Sequence, residues 1–226
     1  MVIVIPLLCM LGFWQLDRAE QKRTQAASLE MRRNLPPITL TNSTPIEVDQ
    51  LRYRNVLLQG RFIAEKTILI ANRKYLGKTG FHVVTPLRLS NNDGVVLVNR
   101  GWLKAAPSTD SSVLKMGAEP LTIAGEIRIP QAPAIELTPS DDNRGLIPHW
   151  PYLTLDRYRQ WSGLEILPFL VLQSSEDDLA LIRQWPTPKV SDLMHIGYAI
   201  QWFAFAIIAL LVWLRLSFQK MGNDSP

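Results

Sequence analysis

The sequence is poor in the residues that most metal and thiol chemistry requires. Its 226 residues include one cysteine, Cys9, and three histidines, His82, His149 and His195. A single cysteine cannot form an intramolecular disulfide, and the sequence has no Cys/His spacing typical of a zinc site. These absences argue against thiolate-based copper or zinc handling and against a multi-histidine metal site.

Catalytic motifs are also absent. The sequence has no Walker loop, no GxSxG elbow and no HExxH motif. The run Gly77-Lys78-Thr79-Gly80 lacks the upstream glycine and the downstream Lys-Ser/Thr of a phosphate loop, so it predicts a β-turn instead. The acidic residues of the polar stretches are interpreted as solvated loop charges: Asp141, Asp142, Glu176, Asp177 and Asp178. No catalytic constellation remains, and we predict that the chain is not an enzyme.

Charge of either sign is spread along the chain rather than gathered in runs. The formal net charge is +4, and no block of five or six basic residues occurs. Nucleic-acid binding is therefore disfavoured. The informative pattern is the position of the apolar residues, which are concentrated at the two ends.

The C-terminal apolar segment has no charged residue between His195 and Arg215. At about 1.5 Å per residue it is long enough to cross the ~30 Å core of a bilayer. Tyr198 and Trp202 near one end and Trp213 near the other fit an aromatic belt. The pattern predicts a transmembrane helix over 195–216 and a cytoplasmic tail over 217–226.

The N-terminal apolar segment, 1–16, is short for a membrane span. A cleaved signal peptide is the alternative, but there is no basic n-region and no small-residue cleavage site. We interpret the segment as an uncleaved first transmembrane helix whose true start lies upstream of Met1. Residues 17–194 then form one domain between two anchors.

The charges beside the anchors leave the orientation open. Arg18, Lys22 and Arg23 on the domain side of the first anchor would place the domain in the cytoplasm by the positive-inside rule. Arg215 and Lys220 after the second anchor argue for the opposite orientation.

The region between the anchors reads mainly as strands. Helix formers over 17–33 predict that the first helix continues and stops at Pro36-Pro37. The predicted strands are 56–62, 67–71, 80–89, 95–99, 121–129 and 169–172, with a hairpin turn at 91–94, a short helix over 151–163, and loops over 103–119 and 130–151. The fold class expected is an α+β membrane protein in which two transmembrane helices flank a strand-rich domain, an antiparallel sheet or a small barrel.

Three polar clusters stand out from this pattern. The run from Gly12 to Arg18, Gly-Phe-Trp-Gln-Leu-Asp-Arg, fits an interfacial tryptophan with a cap. In Asn99-Arg100-Gly101-Trp102 the arginine could hold an anion, or the run could be an ordinary strand end. His195, Tyr198 and Trp202 share one helical stripe, where the histidine is either an interface anchor or a ligand such as the axial ligand of haem iron.

These clusters, in this order, resemble the Surfeit locus protein 1 family. The resemblance rests on Gly12 to Arg18, Gly60-Arg-Phe62, Gly80 through Thr85-Pro86-Leu87, Val98 to Trp102 and His195 to Trp202. It implies an assembly factor for haem-copper cytochrome c oxidase that binds haem a and helps to deliver it to the large catalytic subunit. It also implies a bacterial inner-membrane protein with a periplasmic domain and both termini in the cytoplasm.

The resemblance assigns site residues as well. His195 matches the family's candidate haem ligand, and we expect Tyr198 and Trp202 to pack on the porphyrin. Arg100 is a weaker candidate for a propionate contact, because guanidinium pairs well with carboxylates. The expected partners are the oxidase large subunit, the haem a supply machinery and the lipid bilayer. The alternative is a scaffold for the nascent oxidase subunit that does not touch haem.

Overall fold

The computed structural model describes residues 3–40, 47–90, 94–105, 119–130, 147–176, 181–186 and 191–223. The chain divides into two compact units. The helix unit comprises Met1–Met31 and Thr187–Pro226, and the barrel unit comprises Arg32–Pro186. The domain limits expected from the sequence, 1–16, 17–194, 195–216 and 217–226, stay a prediction.

The secondary structure follows in chain order. The elements are α1 Val4–Asn34, β1 Ile38–Thr39, α2 Val48–Leu51, β2 Asn55–Phe62, a 3₁₀ turn Ala64–Lys66, β3 Ile68–Tyr75, β4 Lys78–Leu89, β5 Val95–Lys104, β6 Leu121–Arg128, β7 His149–Trp150, α3 Leu155–Ser162, β8 Ile166–Gln173 and α4 Leu193–Asn223.

The barrel unit is built on a sheet that closes on itself. In the described ranges, eight strands pair in the order β1-β2-β6-β8-β5-β4-β3-β7, and β2 also pairs with β4. Strands β2, β6, β8, β5 and β4 therefore form a closed ring, with β3 and β7 extending beyond β4. The prediction of a small barrel is confirmed, but the sheet is mixed, because β1–β2, β3–β7 and β5–β8 are parallel pairs.

Gly60 marks the point at which the ring closes. It is paired with Leu121 of β6 and with Leu89 of β4, so β2 passes from one neighbour to the other at this residue. A Cβ atom at Gly60 would collide with the backbone carbonyl of Arg88. A glycine lets two backbones approach this closely at a barrel corner.

The strands of the ring carry apolar residues on both faces. In β5, Val96 and Val98 lie in the barrel interior, whereas Val95 and Leu97 pack in a second core beneath β3, β7 and α3. Because both faces are buried, the strand reads as a continuous apolar run rather than an alternating one. The interior core comprises Leu40, Leu51, Val56, Leu58, Leu87, Leu89, Val96, Val98, Ile123, Ile127, Phe169 and Val171.

Several predicted elements are confirmed with shifted limits. The turn at Leu76-Gly77 joins β3 to β4 with positive φ angles of 45° and 76°. The β-turn predicted over 77–80 is therefore right for Gly77 but wrong for Lys78, Thr79 and Gly80, which lie in β4. The β4–β5 hairpin is confirmed, although residues 91–93 of its turn lie outside the described residues. Most of the two predicted loops also lies outside them, as do Asp141, Asp142, Asp177 and Asp178. Strands β1 and β7 and helix α2 were not predicted.

The two long helices differ in composition. Helix α4, over Leu193–Gln219, is long and apolar enough to cross a membrane, and it is the one helix with this property in the described part of the chain. Helix α1 continues without a break to Asn34, as predicted, but becomes charged from Asp17 onward. The first transmembrane helix, expected over 1–16, is therefore not confirmed as a membrane span.

Candidate functional site

The helix unit consists of two antiparallel helices in direct contact. Arg23 of α1 bonds Asp192 just before α4, Gln15 bonds His195, and Phe13 packs against Phe203, so the contacts advance in opposite directions along the two segments. The rings of Phe13 and Phe203 meet edge to face with centroids 5.3 Å apart. These contacts bring the predicted cluster over Gly12–Arg18 beside the predicted stripe on α4.

Small residues allow the helices to approach. Gly12 and Ala19 are buried on α1, and Ala199 and Ala206 are buried on α4. A Cβ atom at Gly12 would come within 2.7 Å of the Phe203 ring. The glycine of the first cluster therefore makes room for an aromatic ring, as small residues do at helix interfaces.

His195 lies in the first turn of α4 and is half-buried. Its Nδ1 atom is 2.9 Å from Oε1 of Gln15. Because a carbonyl oxygen can only accept, the Nδ1–H group donates this bond and the lone pair of the neutral ring is on Nε2. Among the described residues none bonds to Nε2, so this atom can bind a ligand.

The other residues of the predicted stripe lie further along the same helix. Tyr198 is 46% exposed. Trp202 is half-buried and meets the Phe205 ring edge to face at 6.1 Å. The three side chains follow at offsets of three and seven residues from the histidine, so they share one face of α4. The structure describes no contact that assigns Tyr198 a role, and its place beside the porphyrin stays a prediction.

An ion pair joins α1 to the residue just before α4. Nε of Arg23 lies 2.5 Å from Oδ2 of Asp192. The hydrogen bond from Arg23 lowers the pKa of Asp192, which precedes the span predicted by composition. This pair fixes the entry to α4 three residues before His195.

The remaining polar residues of the first cluster bond along α1. Gln21 donates to Asp17 and accepts from Arg18, each at 2.8 Å. The guanidinium of Arg18 lies 5.7 Å from the centre of the Trp14 ring. The predicted interfacial position of Trp14 stays a prediction, whereas the predicted cap is wrong, because the run lies inside α1, which continues to Asn34.

Helix α4 exposes apolar side chains over most of its length, and α1 exposes them mainly in its first part, from Val4 to Leu16. Such a surface has no favourable place in water. The exposed residues on α1 are Val4, Leu7, Met10, Phe13, Trp14 and Leu16, and those on α4 include Ile200, Phe205, Ile207, Ile208, Leu211, Trp213 and Leu216.

Arg100 belongs to the barrel unit, not to the helix unit. It is 2% exposed, and its guanidinium lies 4.7 Å from the centre of the Phe62 ring. Its carbonyl oxygen accepts a bond from Arg183. The predicted propionate contact of Arg100 is not tested by this placement and stays a prediction.

The residues next to Arg100 pack against and hydrogen-bond to the segment that contains Leu181 and Ile182. Gly101 has a φ of 146°, and a Cβ atom there would lie 2.8 Å from Cβ of Leu181. Trp102 exchanges two backbone hydrogen bonds with Ile182, and its indole donates to the carbonyl of Arg73. The Asn-Arg-Gly-Trp cluster therefore has a clear structural role as the end of β5.

Sequence reasoning missed the partner of the histidine. Gln15 was part of a noted cluster, but it was assigned no role, since 180 residues separate it from His195. The one available signal was the spacing of Gln15 from Gly12, because residues three apart share one face of a helix. Asp192 was missed as well, because a lone acid before an apolar segment has no distinctive pattern.

Comparisons with known proteins all point to one family. The SURF1 family model matches residues 2–207. A SURF1-like protein of Rickettsia bellii is 25% identical over 220 residues, which cover 94% of this chain and 87% of the relative. Surfeit locus protein 1 of Mus musculus is 28% identical, over 96% of this chain and 72% of its own length. The cytochrome oxidase assembly protein SHY1 of Saccharomyces cerevisiae is 33% identical over 103 residues, 44% of this chain and 26% of that protein.

Proposed function

The chain belongs to the SURF1 family, and on that premise we propose that it is an assembly factor for cytochrome c oxidase that binds haem a through His195. The relative from yeast carries oxidase assembly in its name, and relatives from Rickettsia fit a bacterial member. The proposed location is the bacterial inner membrane. The proposed partners are the oxidase large subunit and the machinery that supplies haem a.

The observation that carries the haem proposal is the bond between Gln15 and His195. A histidine that binds a metal usually donates its other ring N–H to an oxygen, which fixes the tautomer and the orientation of the ring. The Gln15 carbonyl accepts from Nδ1–H at 2.9 Å and leaves Nε2 as the donor atom. This is the donor that a haem iron requires of an axial histidine.

The surroundings of His195 suit a large apolar cofactor. Trp202 and Tyr198 lie on its face of α4, and the helices expose apolar side chains nearby. Haem a, when bound, supplies the iron and the porphyrin that the oxidase requires. The chain's part is to hold the ring by His195 and to cover its apolar faces. A propionate contact by Arg100, 2% exposed in the barrel unit, is the least supported part of the proposal.

The membrane arrangement is proposed on similar grounds. Helix α4 has the length and composition of a span. We propose that the apolar part of α1, from Val4 to Leu16, lies in the membrane with it, since Phe13 packs on Phe203 and neighbouring residues are exposed and apolar. The barrel unit is then periplasmic, as the family resemblance implies, and both termini are cytoplasmic.

The test is the absorption spectrum of the full chain purified from cells that make haem a. The wild type and a His149→Ala control should carry haem, and His195→Ala should lose nearly all of it. His149 is a suitable control because it is a half-buried histidine of the barrel unit, packed on Phe81. A His195→Ala protein with full haem content would refute the ligand assignment.

A second measurement separates haem binding from scaffolding. The chain is captured from cells that cannot make haem a, and the oxidase large subunit is sought among the captured proteins. The proposal expects capture to depend on haem a. If capture is unchanged without haem a, and His195→Ala still supports oxidase assembly, the chain is a haem-independent scaffold instead.

A further inference from the structure

The barrel unit contains a cavity of about 420 Å³ that the proposed haem site does not use. Its walls come from β3, β4, β5 and β8 and from the segments that flank α2 and α3. This volume lies within the range of small-molecule sites, which are mostly apolar with a few well-placed polar groups.

Three arginines and no acidic residue line the cavity in the described part of the chain: Arg52, Arg73 and Arg128. Two of them have carboxylate neighbours, since Arg52 lies 3.8 Å from Asp49 and Arg128 lies 2.5 Å from Glu126. No described carboxylate is within ion-pair distance of Arg73, and its buried Nε has no hydrogen-bond partner among the described residues. Glu126 is shared, because its other carboxylate oxygen lies 3.1 Å from Nε of Arg33, and Asp49 is exposed. The cavity therefore carries at least one uncompensated positive charge, on Arg73.

A histidine adds a neutral donor to this wall. Nδ2 of Asn99 is 3.2 Å from Nδ1 of His82. Because the amide nitrogen can only donate, Nδ1 accepts and the ring proton is on Nε2. Burial, together with the charge of Arg73, lowers the pKa of His82 to about 4, so the ring is neutral at pH 7. No described residue bonds to Nε2, which leaves it as a donor.

Apolar and aromatic side chains form the rest of the lining. The aliphatic part includes Ile70, Val84, Leu170 and Leu172, which belong to the second core or pack against it. Trp185 meets the His82 ring edge to face at 5.4 Å. Tyr53, held in the left-handed region at φ 67°, has the Arg128 guanidinium 4.4 Å from its ring centre. A site of this kind binds an apolar body next to an anionic group.

We propose that this cavity binds a small organic carboxylate, with the carboxylate on Arg73 and the donor of His82 and the apolar body against the aliphatic wall. An anionic group matches the uncompensated charge of Arg73, and the aliphatic wall favours an organic anion over inorganic phosphate, which has no apolar body. Arginine and a carboxylate also match in geometry, because two parallel N–H···O bonds can form. The proposal does not depend on haem binding at His195.

The test uses phenylbutyrate as the probe and the full chain in lipid nanodiscs, with empty nanodiscs as background. Equilibrium dialysis measures binding of phenylbutyrate and of phenylbutyramide, which has the same apolar body and no charge. We expect the acid to bind at least about tenfold more tightly than the amide, since a bond to a charged partner is among the stronger hydrogen bonds. Acetate and inorganic phosphate should compete poorly, because they lack the apolar body.

Variants identify the site. Arg73→Gln should weaken phenylbutyrate binding about tenfold or more. Arg73→Lys should keep part of the affinity, because lysine keeps the positive charge but cannot form the two parallel hydrogen bonds of a guanidinium. Arg88→Gln is the matched control, since Arg88 is an exposed arginine of β4 that does not line the cavity. If Arg73→Gln does not fold, Leu172→Trp decides, because it fills the cavity and keeps every charge.

Three results would overturn the proposal. They are equal binding of acid and amide, wild-type affinity in both Arg73→Gln and Leu172→Trp, and equal competition by phosphate. Loss of haem on His195→Ala with unchanged phenylbutyrate binding is expected, and it would separate this site from the proposed haem site.

Discussion

The helix unit and the barrel unit each contain a histidine whose Nδ1 meets a side-chain amide, but opposite ends of the two amides face the rings. The Gln15 oxygen faces His195 at 2.9 Å, and the Asn99 nitrogen faces His82 at 3.2 Å. The first contact places the ring proton on Nδ1 and the second places it on Nε2. One ring is left with a lone pair that can bind a metal, and the other with a proton that can bind an anion.

The difference shows that the residue type alone does not define what a histidine can do here. Both rings are half-buried and both have an amide partner. The end of the amide that faces the ring decides the tautomer. In a metal-binding histidine, the hydrogen-bond partner of the other ring nitrogen usually has the same effect.

The largest effect is expected from a glycine substitution in the barrel unit, and a smaller one from a glycine substitution in the helix unit. Gly60→Ala places a Cβ against the Arg88 carbonyl in the closed barrel, where a backbone atom cannot move aside, and should destabilise the barrel by about 3 kcal/mol or more. Gly12→Ala meets the edge of the Phe203 ring, which can rotate, and should cost about 1 kcal/mol. Thermal unfolding of the full chain measures both.

Gly197→Ala is the control for both substitutions, because a Cβ at this position of α4 has no neighbour within 4 Å. It should leave the unfolding temperature unchanged or slightly raised, because alanine is the better helix former. If Gly60→Ala were as mild as this control, the closure of the barrel at Gly60 would be wrong.

A smaller effect is expected from the Gln15 amide. Gln15→Leu keeps the approximate shape but removes the acceptor, so the His195 ring loses its fixed tautomer and haem affinity should fall about 10- to 100-fold. Gln15→Glu should restore most of the affinity, since a carboxylate also accepts from Nδ1–H. Haem titration followed by absorption measures the effect.

Gln21→Leu provides the comparison for this substitution on the same helix, because Gln21 bonds only to the neighbouring Asp17 and Arg18. It should retain haem. Equal haem affinity in Gln15→Leu and the wild type would show that Gln15 does not position His195.

The smallest effect concerns pH and the barrel unit. The pKa of His82 is about 4 in the folded chain, below its ordinary value of 6.5. The unfolded chain therefore binds more protons between these values, so the stabilising contribution is complete above pH 6.5 and is lost as pH falls to about 4. Allowing for solvent screening of a half-buried ring, the loss is about 1–2 kcal/mol.

Unfolding followed by tryptophan fluorescence at pH values between 4 and 7 measures this dependence. His82→Gln should flatten the profile in that window, because glutamine does not titrate. A wild-type profile that is already flat there would contradict the lowered pKa.

Much of the barrel was predictable from local pattern. Apolar runs located β2, β3, β4, β5, β6 and β8, because each is buried on at least one face and is bounded by turn residues. The short elements β1, β7 and α2 were missed, since two to four residues carry no periodicity. Parallel pairing of β5 with β8 was also missed, because pairing between distant strands is decided by packing and not by either strand alone.

The candidate site was only half visible in the sequence. The stripe from His195 to Trp202 follows from helical spacing, and the apolar run after it predicts the long helix α4. Gln15 could not be assigned, because nothing local to residue 15 indicates a bond to residue 195. Arg73 and His82 were likewise passed over, since each is an ordinary polar residue in a strand pattern.

The long strands and helices follow from the sequence alone, because their formation and burial depend on the spacing of apolar residues and on turn residues such as Gly77. The sequence also determined the family, through five short motifs in a fixed order. The chemistry of the two histidines, in contrast, depends on the folded arrangement of the chain. A tautomer depends on which atom faces the ring across a few ångströms, and Gln15 and Asn99 reach that position only after distant segments of the chain have packed together.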